Sequence, residues 1–114
     1  MSGFQRACAL EDVPVGGVLA VEVDGEGVAI VRTETEVFAI LDECSHAAIA
    51  LSEGEVDQVE CEIECWFHGS RFDLRSGKPT GLPATEPVPV YPCKVESGDV
   101  VVDVNNPRNT DTES

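Results

Sequence analysis

Apolar residues in this chain come in short runs separated by turn-forming residues. Phe4 to Leu10 is the first. Val18-Leu19-Ala20-Val21-Glu22-Val23 follows Gly16-Gly17, and Asp24-Gly25-Glu26-Gly27 then leads into Val28-Ala29-Ile30-Val31-Arg32. Asp-Gly between β-rich runs signals a hairpin, because these residues tolerate the positive φ of the tight primed turns. Val37-Phe38-Ala39-Ile40-Leu41 comes after a polar turn, Thr33 to Glu36. Near the end, Val90 to Val95 and Val100 to Val104 flank Ser97-Gly98-Asp99, a second hairpin. Helical periodicity is weak throughout, and only Ala47 to Leu51 has room for about one turn. The pattern predicts an all-β fold of small packed antiparallel sheets or a partly closed barrel.

The stretch from Asp42 to about Pro89 breaks this rhythm. It holds both histidines, three of the five cysteines, the only Trp and four of the seven prolines. We read it as a lobe, about 42–89, inserted into the β scaffold. At 114 residues the chain has room for one compact domain. Residues 1–104 are expected to form it, with 105–114 as a polar tail.

Charge narrows the choice of partners. The net charge is −15, from 22 acidic and 7 basic residues. Nucleic acid and anionic membranes would be repelled, whereas a basic protein partner would be attracted. No Lys or Arg occurs between Thr33 and Ser70, but ten carboxylates do: Glu34, Glu36, Asp42, Glu43, Glu53, Glu55, Asp57, Glu60, Glu62 and Glu64. No apolar stretch is long enough to span a membrane, and Met1 to Leu10 has no signal-peptide core. An odd number of cysteines is not a secreted disulfide framework. The expected compartment is the cytoplasm, with cysteines kept for metal or for burial.

The chemistry is concentrated in two short segments, Cys44-Ser45-His46 and Cys65-Trp66-Phe67-His68-Gly69-Ser70, separated by the eighteen residues Ala47 to Glu64. Each supplies one thiol and one imidazole. Zinc accepts two thiolates and two imidazoles, but its usual spacings pair Cys with Cys and His with His. A Rieske [2Fe–2S] centre needs two thiolates on one iron and two imidazoles on the other. Two loops that each give one of each ligand can bridge such a unit.

The residues quoted above, with Leu51-Ser52-Glu53-Gly54, Arg71-Phe72-Asp73-Leu74 and Ser76-Gly77-Lys78-Pro79, resemble the Rieske ferredoxins of bacterial multicomponent, aromatic-ring-hydroxylating oxygenases. The resemblance runs from Phe4 to about Val104. It implies the Rieske fold, one [2Fe–2S] cluster, and Cys44, His46, Cys65 and His68 as its ligands, with Leu82-Pro83-Ala84 in a loop that covers it. It implies a one-electron carrier, not an enzyme, between a flavin-dependent reductase and a terminal oxygenase, and a monomer. The spacer between the ligand motifs is slightly long for the family.

The cysteines of the extra disulfide in respiratory-complex Rieske proteins would fall at Ile49 and Phe67, and their tyrosine donor at Phe72, so these features are absent. A potential at the low end of about −150 to +300 mV follows. Ser70 fits either a hydroxyl donor to a sulfide or a plain turn residue. Arg71 fits either a carboxylate partner or a solvated cation. Cys8, Cys61 and Cys93 read as packing residues, Cys61 within a strand that runs to Cys65. Trp66 reads as loop packing or as an electron relay.

The chain has too few histidines for a further mononuclear iron and no Gly-rich dinucleotide fingerprint. The alternative readings are a redox partner in iron–sulfur assembly, a protein like the small subunit of nitrite reductase, and a zinc-stabilised binding module. The purified protein should be red-brown, with about two irons and two acid-labile sulfides per chain. His46→Ala or His68→Ala should abolish the visible spectrum, and Cys8→Ser, Cys61→Ser and Cys93→Ser should keep it. Stoichiometric zinc without sulfide would contradict this expectation.

Overall fold

The computed structural model describes residues 4–43, 50–65, 69–81 and 88–104. Apart from two short 3-10 turns, at Leu10–Asp12 and Leu51–Glu53, the regular elements there are strands. In chain order they are β1 (Gln5–Ala9), β2 (Gly17–Val23), β3 (Glu26–Arg32), β4 (Val37–Leu41), β5 (Glu55–Asp57), β6 (Glu62–Glu64), β7 (Arg71–Asp73), β8 (Pro79–Gly81), β9 (Val90–Tyr91), β10 (Cys93–Glu96) and β11 (Asp99–Val102). They form three antiparallel sheets, ordered β1-β11-β10, β2-β3-β4-β9 and β5-β6-β7-β8.

Alternation along β3 explains the layering. Val28 and Ile30 face a core shared with Cys8, Val100 and Val102 of the first sheet. Ala29 and Val31 face a second core with Ile63, Phe72 and Leu74 of the third. Phe38 and Ile40 of β4 face that second core, and Ala39 faces the first. The sheet β2-β3-β4-β9 is therefore the middle layer. Strands buried on both faces must be apolar at successive positions, which is why β3 and β4 read as continuous runs rather than alternating ones.

Both anticipated hairpins are present. Asp24 and Gly25 have φ of 53° and 83°, and Ser97 and Gly98 have 52° and 82°. Two successive positive φ values are the signature of the type I′ turn, whose twist matches that of paired strands.

Two local expectations change, and a third falls mostly outside the described residues. Val90 to Val95 is not one strand: Pro92 lacks an N–H, and the chain passes there from the middle sheet at β9 to the first sheet at β10. Cys61 is not in a strand but in a turn, at φ 60°. The Asp57 carboxylate accepts the N–H groups of Val59 and Glu60 and shapes that turn. Of Ala47 to Leu51, only Ala50 and Leu51 are described, and Leu51 opens a single 3-10 turn.

The third sheet is an insertion between neighbours. β4 and β9 pair directly, Ala39 with Tyr91 and Ile40 with Val90, and all of β5 to β8 lies between them in sequence. The tail 105–114 lies outside the described residues. Ile30→Ala should cost about 2–5 kcal/mol in urea unfolding, since Ile30 is fully buried. Val59→Ser, at a fully solvated turn position, should change stability by no more than about 0.5 kcal/mol.

Candidate metal centre

Of the four expected ligands, Cys65 lies within the described residues, while Cys44, His46 and His68 lie outside them. So do Ile49, Trp66, Phe67 and Leu82-Pro83-Ala84. The described chain fixes where each of these segments begins and ends.

Cys65 directly follows β6 and is 1% exposed, in the core between the middle sheet and the lobe sheet. Its N–H donates to the Ser70 carbonyl at 2.6 Å, and its own carbonyl accepts the Gly69 N–H at 3.0 Å. Gly69 has φ 78°, a left-handed conformation that favours glycine. These bonds extend the β6–β7 hairpin to Cys65 and Ser70 and leave residues 66–69 between them. Ser70 is also 1% exposed, so it is a buried hydroxyl and not a surface turn residue.

The segment that carries Cys44 and His46 is closed at its base by one carboxylate. Asp42 accepts the Ser52 N–H at 2.7 Å on one oxygen and the Ser52 hydroxyl at 2.8 Å on the other. The Asp42 N–H donates to Gly27, which ties this clasp to β3. Leu51, fully buried, packs in the same core as Cys65. Gly54 then comes so close to β6 that a β-carbon there would overlap the Glu64 carbonyl. The exit of the first segment is thus pressed against the residue that precedes Cys65. The third segment, 82–87, ends at Val88, whose N–H donates to Gly77, and at Pro89, whose carbonyl accepts the Leu41 N–H.

The lobe sheet is sharply two-sided. Val56, Ile63 and Phe72 are neighbours in register and face inward. Phe72 is fully buried there, so the position carries no hydroxyl into the core. Glu55, Glu64 and Arg71 form one outer row, and Asp57, Glu62 and Asp73 the next. Arg71 is partnered, with contacts to Glu62, Asp57 and Glu64. Four of the ten carboxylates that a sequence reading assigns to solvated turns, Glu55, Asp57, Glu62 and Glu64, therefore share one face, because a period of two places them there.

The other cysteines fit packing roles. Cys8 and Cys61 are each 6% exposed, and burial pushes both thiols above their ordinary pKa. The Cys93 thiol donates to the Val37 carbonyl at 3.2 Å. A surface cleft of about 460 Å³ lies away from the lobe sheet, between the Thr33–Glu36 turn, Tyr91 and Cys93. Cys65 does not line it.

The donor set fits an iron–sulfur centre. Cys65 offers a soft sulfur donor away from water, the ligand type that iron–sulfur centres take. Its place at the foot of a hairpin, packed against the return of the first segment, is what a centre ligated from two loops requires. Asp42, Ser52 and the close approach at Gly54 carry no chemical signature of their own. Only the short Leu51 to Gly54 motif hinted at them.

Comparison with known proteins gives the same answer. The family model of the Rieske [2Fe-2S] domain matches residues 3–92. The chain is 41% identical over 103 residues to the biphenyl dioxygenase ferredoxin subunit of Pseudomonas sp. (strain KKS102), covering 88% of this chain and 91% of that one. The ferredoxin of carbazole 1,9a-dioxygenase from Nocardioides aromaticivorans IC177 superposes with a TM-score of 0.85 at 39% identity, over 89% of this chain and 97% of that one. A chain of the complex of reduced oxygenase and oxidized ferredoxin in carbazole 1,9a-dioxygenase superposes at 0.80 with 34% identity, over 88% and 92%.

Gly54→Ala should sharply reduce bound iron and lower the melting temperature, because the clash is with backbone and cannot be relieved by a rotamer change. Gly25→Ala, at a turn with open space around it, should cost only about 1 kcal/mol through its positive φ and leave iron content unchanged. Equal iron loss in both variants would contradict the role given to Gly54.

Proposed function

We propose a place for this protein between a flavin-dependent reductase and a terminal oxygenase, on a plain premise: the chain belongs to the Rieske [2Fe–2S] domain family. It is an electron carrier with one such cluster, a component of a larger oxidoreductase system and not itself the catalyst. The zinc-stabilised alternative falls with that assignment.

Our reading assigns the ligands to Cys44, His46, Cys65 and His68. The observation that carries it is the buried Cys65 thiol at the foot of the Cys65–Ser70 hairpin, braced by Gly54 on the return of the segment that bears Cys44 and His46. When bound, the cluster supplies one reversible electron at a potential raised by its neutral imidazole ligands. The chain's own residues hold the site in place. Asp42 and Ser52 clasp one segment, Gly69 lets the hairpin turn, and Leu51, Ile63 and Phe72 keep water from the Cys65 side.

We take residues 1–104 as a single domain, with the cluster lobe at about 42–89 and 105–114 as its tail. No helix among the described residues is long and apolar enough to cross a membrane, and the reading places the protein in the cytoplasm as a monomer. The oxygenase partner is supported by the likeness to chains named as dioxygenase ferredoxins, one of them in a complex with its oxygenase. The reductase partner is supported by charge. A net charge of −15 would draw a basic surface in by long-range attraction, which raises the association rate more than the affinity.

The test is a reconstituted chain of NADH, a flavin-dependent ferredoxin reductase and this protein, with reduction followed in the visible spectrum. The rate should fall as added salt shortens the screening length to about 8 Å. The triple reversal Glu43→Lys, Glu53→Lys and Glu55→Lys should slow it further with the spectrum unchanged. A rate indifferent to both salt and reversal would show that these charges do not guide docking.

A further inference from the structure

The outer face of the lobe sheet carries six charged residues in two rows, and only Arg71 among them is a cation. Arg71 Nη1 lies 3.2 Å from Glu62 Oε1 and 3.6 Å from Asp57 Oδ2, and Nη2 lies 3.6 Å from Glu64 Oε1. Arg75 is engaged elsewhere, with Glu36 and over the Phe38 ring. Partial burial of the Arg71 guanidinium works against its charge, but Glu64, Glu62 and Asp57 outweigh this and lift its pKa above the ordinary arginine value.

Its position bears on the centre. Glu64 immediately precedes Cys65. Arg71 immediately follows Ser70, whose carbonyl holds the Cys65 N–H. A β-carbon at Gly69 would lie 3.5 Å from Glu64 Oε2, so this carboxylate reaches over the residue that follows His68. The pair Glu64 and Arg71 is therefore the charged row that adjoins the ligand hairpin. Ion pairs this exposed add little to folding. Their field, however, extends for about a screening length, and Glu64 adjoins Cys65 in the chain.

We propose that Arg71 sets the electron affinity of the centre held at Cys65, by cancelling the negative field of Glu64, Glu62 and Asp57 beside the ligand hairpin. Reduction adds one negative charge to the centre. A nearby carboxylate opposes that charge, and a nearby guanidinium favours it. Arg71 is a positioning residue in this sense, acting through its charge. The inference rests on the ligand assignment above and goes beyond it, since that assignment is silent on what tunes the centre.

The experiment is a one-electron redox titration of the purified holoprotein with dithionite at low ionic strength, followed by visible circular dichroism. Iron and sulfide are assayed first. A protein without them refutes the ligand assignment; a protein with them puts the present inference alone to the test. Arg71→Gln should weaken electron affinity at least threefold, a fall of about 28 mV at about 59 mV per tenfold for one electron. Glu64→Gln should strengthen it, and the double variant should return toward the parent. Arg71→Lys, which keeps the charge but not the fork, should stay near the parent.

Should Arg71→Gln fail to hold the cluster, Glu64→Gln decides alone: a raised potential supports the proposal and an unmoved one overturns it. The proposal is also overturned if Arg71→Gln leaves the potential where it was, or if Arg71→Lys lowers it as far as Arg71→Gln does. The last outcome would make Arg71 a brace for the sheet and nothing more.

Discussion

Gly54 lies so close to the Glu64 carbonyl that no side chain fits between them. The two segments with a Cys and a His each are separate in sequence, and a dinuclear centre shared between them, as we propose, would tolerate little relative movement. A contact between main chains is stiffer than one between side chains, because it cannot relax by changing rotamer. With Glu55 paired to Glu64 one residue later, the return of the first segment becomes part of the same sheet as β6. Burial of Leu51 and Cys65 in one core follows from that junction, and so does the register of the charged rows outside it.

The scaffold supplies the second constraint. Its middle sheet is buried on both faces, and β4 and β9 lie side by side as the exit and return of the lobe. An insertion between paired neighbours has both ends anchored in the layer buried on both faces, where opening would expose Ile40 and Val90 together. The lobe can then be built of very short strands without losing its place. Its remaining links to the scaffold, such as Arg75 with Glu36, are exposed and contribute little energy. The hydrophobic layer between Ala29, Val31, Phe38 and Ile63, Phe72, Leu74 carries the load.

Much of this was legible in the chain itself. The runs at β2, β3 and β4, and the Asp24-Gly25 and Ser97-Gly98 turns, declare themselves because a tight hairpin is a local object with local chemistry. The continuous run Val28 to Val31 even carries the sign of burial on both faces. The mixed Cys and His pairs singled out the segment at Cys65, but not the hairpin that closes it. What stayed hidden depends on residues distant in sequence. The break at Pro92 is a change of layer, and the apolar residues on either side suit both layers equally. Cys61 alternates correctly with Ile63, so only the Asp57 turn reveals that it lies outside the strand. The clasp between Asp42 and Ser52 uses residue types that ordinary turns also use. The acidic residues of β5 and β6 look like solvated loop in one dimension and become one face only once the register is known.

That face and that hairpin together describe a carrier that is negative outside and dry beside Cys65. The central claim is the mixed ligation, with an imidazole from each segment. Pulsed EPR of the dithionite-reduced protein, prepared with isotopically labelled histidine, tests it most directly. The account predicts a paramagnetic [2Fe–2S] centre with two strongly coupled imidazole nitrogens. A reduced centre with no histidine nitrogen coupled to it would contradict the account, as would a protein that gives no paramagnetic signal at all.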